Sequence, residues 1–322
     1  MKRYWLGVAA MALLSACGAS DVFPLAPDLD GGTQDDGGDT SGDGNIVIDD
    51  TVQIAAPADI ANEIDSVTFN PGDGSTPPTL SIGGAGFDVA GAPAEYVRKP
   101  GLDVPGFQAF TSQVDGDSRH YLAFVSEEDG IVAMAAGSGQ FAQFLAGANF
   151  TRTGTYSEPL ASNVPDLGSV TYTGTYVGIL NRAGDQGDLL PPTGTSGNPV
   201  QIAEITGTTI VQADFSGDGG KNVIGGIFDR TVVDPIIDTD GDGTPDANAP
   251  VENLNFEITG LNEDGTFSGT VIKDDFTAVG GYAGAFAGQE ATAVGGALKV
   301  NNHIDQLTDA PTTEYGAFTA TR

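Results

Sequence analysis

The segment GYAGAFAGQEATAVGGALKV, residues 281–300, decides the reading of the fold. Glycines at 284, 288, 295 and 296 punctuate two short apolar runs. A glycine inside a strand weakens it unless it marks a bulge, a sharp bend or a close backbone approach. Small closed barrels use such bends to curl the sheet. The segment reads as two strands turning a tight corner.

The flanking sequence extends the pattern. Short apolar or alternating runs lie at 66–70, 79–82, 94–98, 107–114, 119–125 and 131–135, separated by turn sequences such as PGDG at 71–74, KPG at 99–101 and EEDG at 127–130. Strands at such spacing suggest an antiparallel sheet. Residues 140–145 read equally as one helical turn or a strand. After a polar boundary at 157–163, further runs lie at 169–178, 208–215, 222–229, 253–261, 266–273 and 315–320. With the pair at 281–300 they make about eight strands, the number at which a barrel interior is just filled by side chains. Closure also removes exposed edges. Tyr282 and Phe286 are expected to pack as core or corner residues. Tyr96, Phe107, Phe110 and Tyr121 are expected in an N-terminal core.

The pattern also resembles a known family. Gly284, Phe286, Gly288, Ala291, Gly295 and Gly296 fall in step with Gly-x-Phe-Tyr-Gly-Pro-x-Ala-x-Glu-x-Gly-Gly-x-Phe, a signature of transferrin-binding protein B barrels. Ala287, Gln289, Ala293 and Leu298 depart from it. Pro165, Gly168, Tyr172 and Gly174 are similar to the family's lead-in and first barrel strand, with Val164 in place of its Met. Ala213-Asp214-Phe215 and the closing run at 315–320 follow in the family's order. The resemblance covers about 163–322. It implies an all-β fold, with a C-terminal eight-stranded antiparallel barrel preceded by a smaller, handle-like β-rich domain. It further implies a non-enzymatic surface lipoprotein whose loops capture a protein or nutrient-carrier partner, of the iron- or haem-carrier kind.

The N-terminus fits an exported lipoprotein. Lys2 and Arg3 precede an apolar run from Trp5 to Leu14, a layout of secretory signals and too short to span a membrane as a helix. Leu14-Ser15-Ala16-Cys17 resembles the bacterial lipobox, which makes Cys17, the chain's one cysteine, the lipidated residue. Gly18 after it favours the outer membrane by analogy with known lipoproteins. Acyl chains anchor and do not span. The expected organisation is a signal peptide at 1–16, a disordered acidic tether at 17–45, a β-rich domain at 46–160 and the barrel at 161–322. The expected location is the outer membrane, at the cell surface of a Gram-negative bacterium.

Composition narrows the partners. The 322 residues carry a formal charge of −32, which repels nucleic acid and anionic lipid. The acidity serves solubility, cation binding or the steering of a basic partner. Forty-seven glycines and 39% hydrophobic residues suit a sheet protein with a real core. No second cysteine exists for an internal disulfide.

One constellation carries candidate chemistry. Asp238, Asp240, Asp242 and Asp246 stand at positions one, three, five and nine of a loop, with Gly243 at six and Thr244 at seven. This matches the first part of a calcium loop, where alternate carboxylates turn inward and Thr244 lends its carbonyl. The Glu of position twelve is missing, since Ala249 stands there. Glu252 or Asp234 is a candidate to complete a structural Ca2+ shell. The alternative is an ordinary acidic hairpin loop. His120 and His303 belong to no zinc spacing. No G-x-S-x-G elbow supports a hydrolase, and Gly137-Ser138-Gly139 only brushes that pattern. Two functions follow: a lipid-anchored binding protein, or a calcium-stabilised structural outer-membrane lipoprotein without a soluble ligand.

Overall fold

A computed structural model describes residues 54–322, apart from 74, 90, 116–117, 140–142, 165, 183–201 and 218–219. Cys17 and the acidic stretch at 17–45 lie outside the described residues. The protein is almost entirely β, as expected.

The first seven strands are β1 (Ser66–Asn70), β2 (Thr79–Gly83), β3 (Ala94–Arg98), β4 (Gln108–Ser112), β5 (Tyr121–Glu128), β6 (Ile131–Ser138) and β7 (Leu145–Arg152). They form one antiparallel meander in sequence order. Two single-turn helices, α1 (Ala58–Ala61) and a 3-10 turn at Pro100–Leu102, accompany it. Of the segment left open, 140–145, residues 140–142 lie outside the described residues, and Leu145 opens β7.

The remaining strands are β8 (Val170–Leu180), β9 (Ala203–Asp214), β10 (Asn222–Val232), the two-residue β11 (Ala249–Pro250), β12 (Leu254–Gly260), β13 (Thr266–Ile272), β14 (Ala278–Ala287), β15 (Ala293–Asn301) and β16 (Thr313–Thr321). Eight of them close into an antiparallel barrel: β8 pairs with both β9 and β16, and β9 pairs with β10. The barrel interior is filled, not hollow. Phe256 stacks on Tyr282 with ring centroids 4.3 Å apart. Phe286 packs against Tyr172, Phe215 and Phe267 at 5.1, 5.2 and 5.4 Å.

The segment 281–300 is indeed a hairpin, β14 and β15, with Gly284 opposite Gly296. Its glycines do more than bend the backbone. Tyr282, Phe286, Val294 and Leu298 point into the barrel. The alternate positions, Ala283, Ala285, Ala287, Ala293 and Ala297, point outward and are fully covered. What covers them is the seven-stranded sheet, through Ile131, Ala133, Ala135, Ala146, Ala148 and Phe150. Small side chains on both surfaces let the two sheets approach closely.

This docking explains the composition of β5 and β6. Leu122, Phe124, Ile131 and Ala133 face the barrel, while Ala123, Val125, Val132 and Met134 face a separate core with Leu80, Ile82, Tyr96 and Phe110. A strand covered on both faces loses polar alternation and becomes a continuous apolar run. Polar ties cross the same interface. Arg152 donates to the carbonyls of Asp264 and Phe286 at 2.7 and 3.0 Å, and Ser126 and Thr319 share a buried hydrogen bond of 2.9 Å.

Candidate functional site

Up-and-down connectivity places three described loops at one end of the barrel: the β10–β12 connection (233–253), the β13–β14 turn (273–277) and the β15–β16 loop (302–312). They are tied to one another. Lys273 pairs with Asp305 at 2.5 Å, and the Asp305 amide donates to Glu252 at 3.1 Å. Arg182, just past β8, holds Asp309 at 2.9 Å and the Ala310 carbonyl at 2.7 Å. Two shallow depressions of about 490 and 410 Å³ flank Leu307, Thr308 and Asp309.

The surface of this mouth is acidic. Asp238, Asp240, Asp242, Asp274 and Asp275 are all exposed, while the cations Lys273 and Arg182 are already paired. Amid these carboxylates stands Phe276, 83% exposed. It occupies the left-handed region at φ 67°, uncommon for a bulky residue and costly by about 1–3 kcal/mol. The tight turn imposes it: the Phe276 amide donates to Lys273, and Lys273 donates to Thr277, both at 2.9 Å. The chain thus spends strain to present an aromatic ring to solvent. Sequence reading did not single out Phe276, although a lone aromatic within DDFT was the available signal.

The Asp238–Asp246 loop lies in the same mouth. Asp238, Asp240 and Asp246 bring carboxylate oxygens within 4.8 Å of one another. Asp238 accepts from the amides of Gly241 and Gly243 at 2.7 and 2.9 Å, so the turn that Gly243 permits, at φ 87°, folds around it. Hydrogen bonds from the Thr239 hydroxyl and amide hold the Asp246 carboxyl below the usual range. Asp242 falls outside the converging carboxylates and accepts from the Thr244 amide at 2.7 Å. The two candidates for completing the shell are not among the converging carboxylates. Asp234 is buried and accepts from the Glu204 amide at 2.8 Å, and Glu252 accepts from Asp305.

Below the mouth lies a network that sequence reading missed. Glu314 at the start of β16 accepts from Arg230 and His303, each at 2.6 Å, and from the Tyr176 hydroxyl. Arg230, His303 and Glu314 have no exposed side-chain surface. Arg230 also donates to the Glu252 carbonyl at 2.6 Å. A bulge in β10 aims Arg230 inward: the register with β9 slips between Phe228 and Thr231, and Asp229 adopts φ 50°. Room for the network comes from glycine. A Cβ on Gly316 would lie 1.9 Å from the Tyr176 hydroxyl, and one on Gly178 would lie 2.3 Å from the Glu314 carboxylate. Burial pushes the Glu314 carboxyl up, but the Arg230 charge and the hydrogen bonds from His303 and Tyr176 prevail and hold it at about 2. His303 lies in the β15–β16 loop, and its ring is fully buried.

The chain is similar to transferrin-binding protein B structures. One is a double mutant of the vaccine antigen from Haemophilus parasuis Hp5, 15% identical, matched over 72% of this chain and 39% of that one with a TM-score of 0.37. Another is the isotype 1 protein of serogroup B Neisseria meningitidis, 14% identical, matched over 81% and 43% with a TM-score of 0.34. The chain spans about two-fifths of the length of these structures. No family model and no curated protein sequence matches it. Among the described residues, no helix is long and apolar enough to cross a membrane.

Proposed function

We propose that this chain is a lipid-anchored binding protein of the bacterial surface that captures a macromolecular partner on the barrel mouth. The observation that carries the reading is Phe276: a strained, exposed aromatic amid exposed carboxylates. Strain at a surface residue that packs against nothing calls for a use outside the folded chain. The acidic rim selects a basic face and speeds encounter with it. A Lys or Arg over the Phe276 ring adds a cation–π contact. The partner class is the protein nutrient carrier, iron- or haem-bearing, that the sequence resemblance implies. Cys17 supplies the anchor and 17–45 the tether.

Two experiments test this. A photo-crosslinking amino acid is placed at Phe276, and a control at Glu263 on the opposite end of the barrel. One dominant protein adduct at 276 and none at 263 is expected; equal labelling at both ends, or none at 276, overturns the mouth as the capture surface. Protease digestion of intact and lysed cells tests display, and protection on intact cells rules out the surface.

A second reading has its own support: Asp238, Asp240 and Asp246 converge as the first ligands of a calcium shell do. Here the loop holds a structural Ca2+ that fixes the mouth. A melting temperature unmoved by chelator removes this reading.

A further inference from the structure

His303 opens the β15–β16 loop at the mouth and reaches down into the barrel, where its ring is fully buried. Its surroundings are well defined. Glu314 faces it from β16, Arg230 from β10, and Glu252 from the β10–β12 connection, while Tyr176 of β8 shares Glu314 with it. Arg230 and Glu314 already make one neutral pair, at 2.6 Å. The neutral imidazole fits this cage, with Nε2–H donating to Glu314. The other nitrogen, Nδ1, is buried and has no hydrogen-bond partner. A proton there would create a buried N–H without an acceptor, which is costly.

We propose that His303 is an acid-sensitive latch: neutral, it pins the 302–312 loop over the barrel, and its protonation releases that loop. The latch is a property of the chain itself and goes beyond partner capture. The direction of its titration agrees with the geometry. Burial, reinforced by the Arg230 charge, lowers the His303 pKa below the ordinary value despite Glu314 and Glu252. A group lowered in the closed state contributes stability above its open-state value of about 6.5 and loses it as pH falls through that range. One proton taken up on opening raises the open population by up to about tenfold per pH unit. Two groups in the loop's other ties stay charged across that range. Arg182 holds the Asp309 carboxyl below the usual carboxylate range, and Asp305 holds the Lys273 ammonium above its own.

The test uses the full chain, with chelator present throughout so that the aspartate loop plays no part. Amide protection factors, corrected for intrinsic exchange, are measured for 302–312 and for the hairpin at 281–300 at pH 7.5, 6.5 and 5.5. The His303 ring is titrated in parallel by NMR. The expected result is a loss of protection in 302–312 of up to about tenfold between pH 7.5 and 5.5, with the hairpin unchanged. His303→Gln keeps a donor for Glu314 and cannot titrate, so its loop should lose no protection over that range. Equal loss in the variant, or unchanged protection in the parent chain, overturns the latch. If the variant does not fold, the ring decides: a midpoint at or above about 6.5 sinks the proposal, and a lower one coincident with loop opening supports it.

Discussion

Gly295 of the barrel hairpin lies directly beneath Ile131 of the seven-stranded sheet, so that a Cβ on Gly295 would come within 2.9 Å of Ile131 Cγ1. The glycine is what permits the isoleucine to seat. Gly295→Val should therefore overpack the interface and cost about 1–3 kcal/mol. Ile131→Ala should cost about 2–5 kcal/mol through the cavity it leaves. Combined, the two changes exchange volume across one contact, and their losses should fall short of additivity by about 0.5–3 kcal/mol. Denaturant unfolding of the four chains measures this. Strict additivity would mean that the two sheets do not share this contact.

Glu314 is the one carboxylate between Arg230 and His303, and Glu314→Gln strands a buried guanidinium. Breaking a buried pair on one side costs about 3–5 kcal/mol, whereas replacing both partners with apolar groups is often neutral. Glu314→Gln should thus be less stable than Arg230→Met/Glu314→Leu, as thermal melts will show. The reverse order would deny that charge imbalance is the cost.

The same carboxyl sets an acid limit. Its folded value of about 2 lies below the ordinary 4.5, so its contribution is complete above the unfolded value and disappears as pH falls from there towards 2. Unfolding free energy should decline across that window in the parent chain and more weakly in Arg230→Met/Glu314→Leu. Parallel declines would assign the acid sensitivity to other carboxylates.

Much of the barrel was legible because its strands alternate. Tyr172, Tyr282 and Phe286 recur at inward positions, and the inter-strand turns carry Gly and Asp. The outer alanines were less legible. Ala283, Ala285 and Ala287 read only as part of a short apolar strand, since nothing local says that a second sheet lies against them. β7 escaped for the same reason: Leu145-Ala-Gly-Ala-Asn has small residues on both faces and no alternation. Arg230 enters the barrel only through a register slip between β9 and β10, a non-local property of pairing. In the aspartate loop the spacing of five ligands was visible. Which of the carboxylates converge was not, because that depends on how the turn folds around Asp238 and not on spacing.

Phe276→Ala should separate binding from stability. The ring is 83% exposed, so its loss should change unfolding free energy by no more than about 0.5 kcal/mol. Phe276→Gly relieves the left-handed backbone as well and should be neutral to stabilising. Both should weaken capture of whichever protein crosslinks at 276, and Asp274→Asn/Asp275→Asn should slow its association and flatten the salt dependence. Unaltered capture by Phe276→Ala would remove the ring from the binding surface.

The aspartate loop makes a graded prediction. Asp238, Asp240 and Asp246 converge, while Asp242 is turned aside. Asp240→Asn or Asp238→Asn should abolish Ca2+ binding in calorimetric titration of chelator-stripped protein, and Asp242→Asn should only weaken it. Extracellular calcium modules bind at about 10⁻⁴–10⁻³ M. At tenfold excess over Kd, linkage gives about 1.4 kcal/mol of stabilisation, readable as a rise in melting temperature that magnesium should not reproduce, because its rigid octahedron is poorly served by three carboxylates on a short loop. Heat of binding equal in the parent chain and in Asp240→Asn would place the ion elsewhere on this acidic surface.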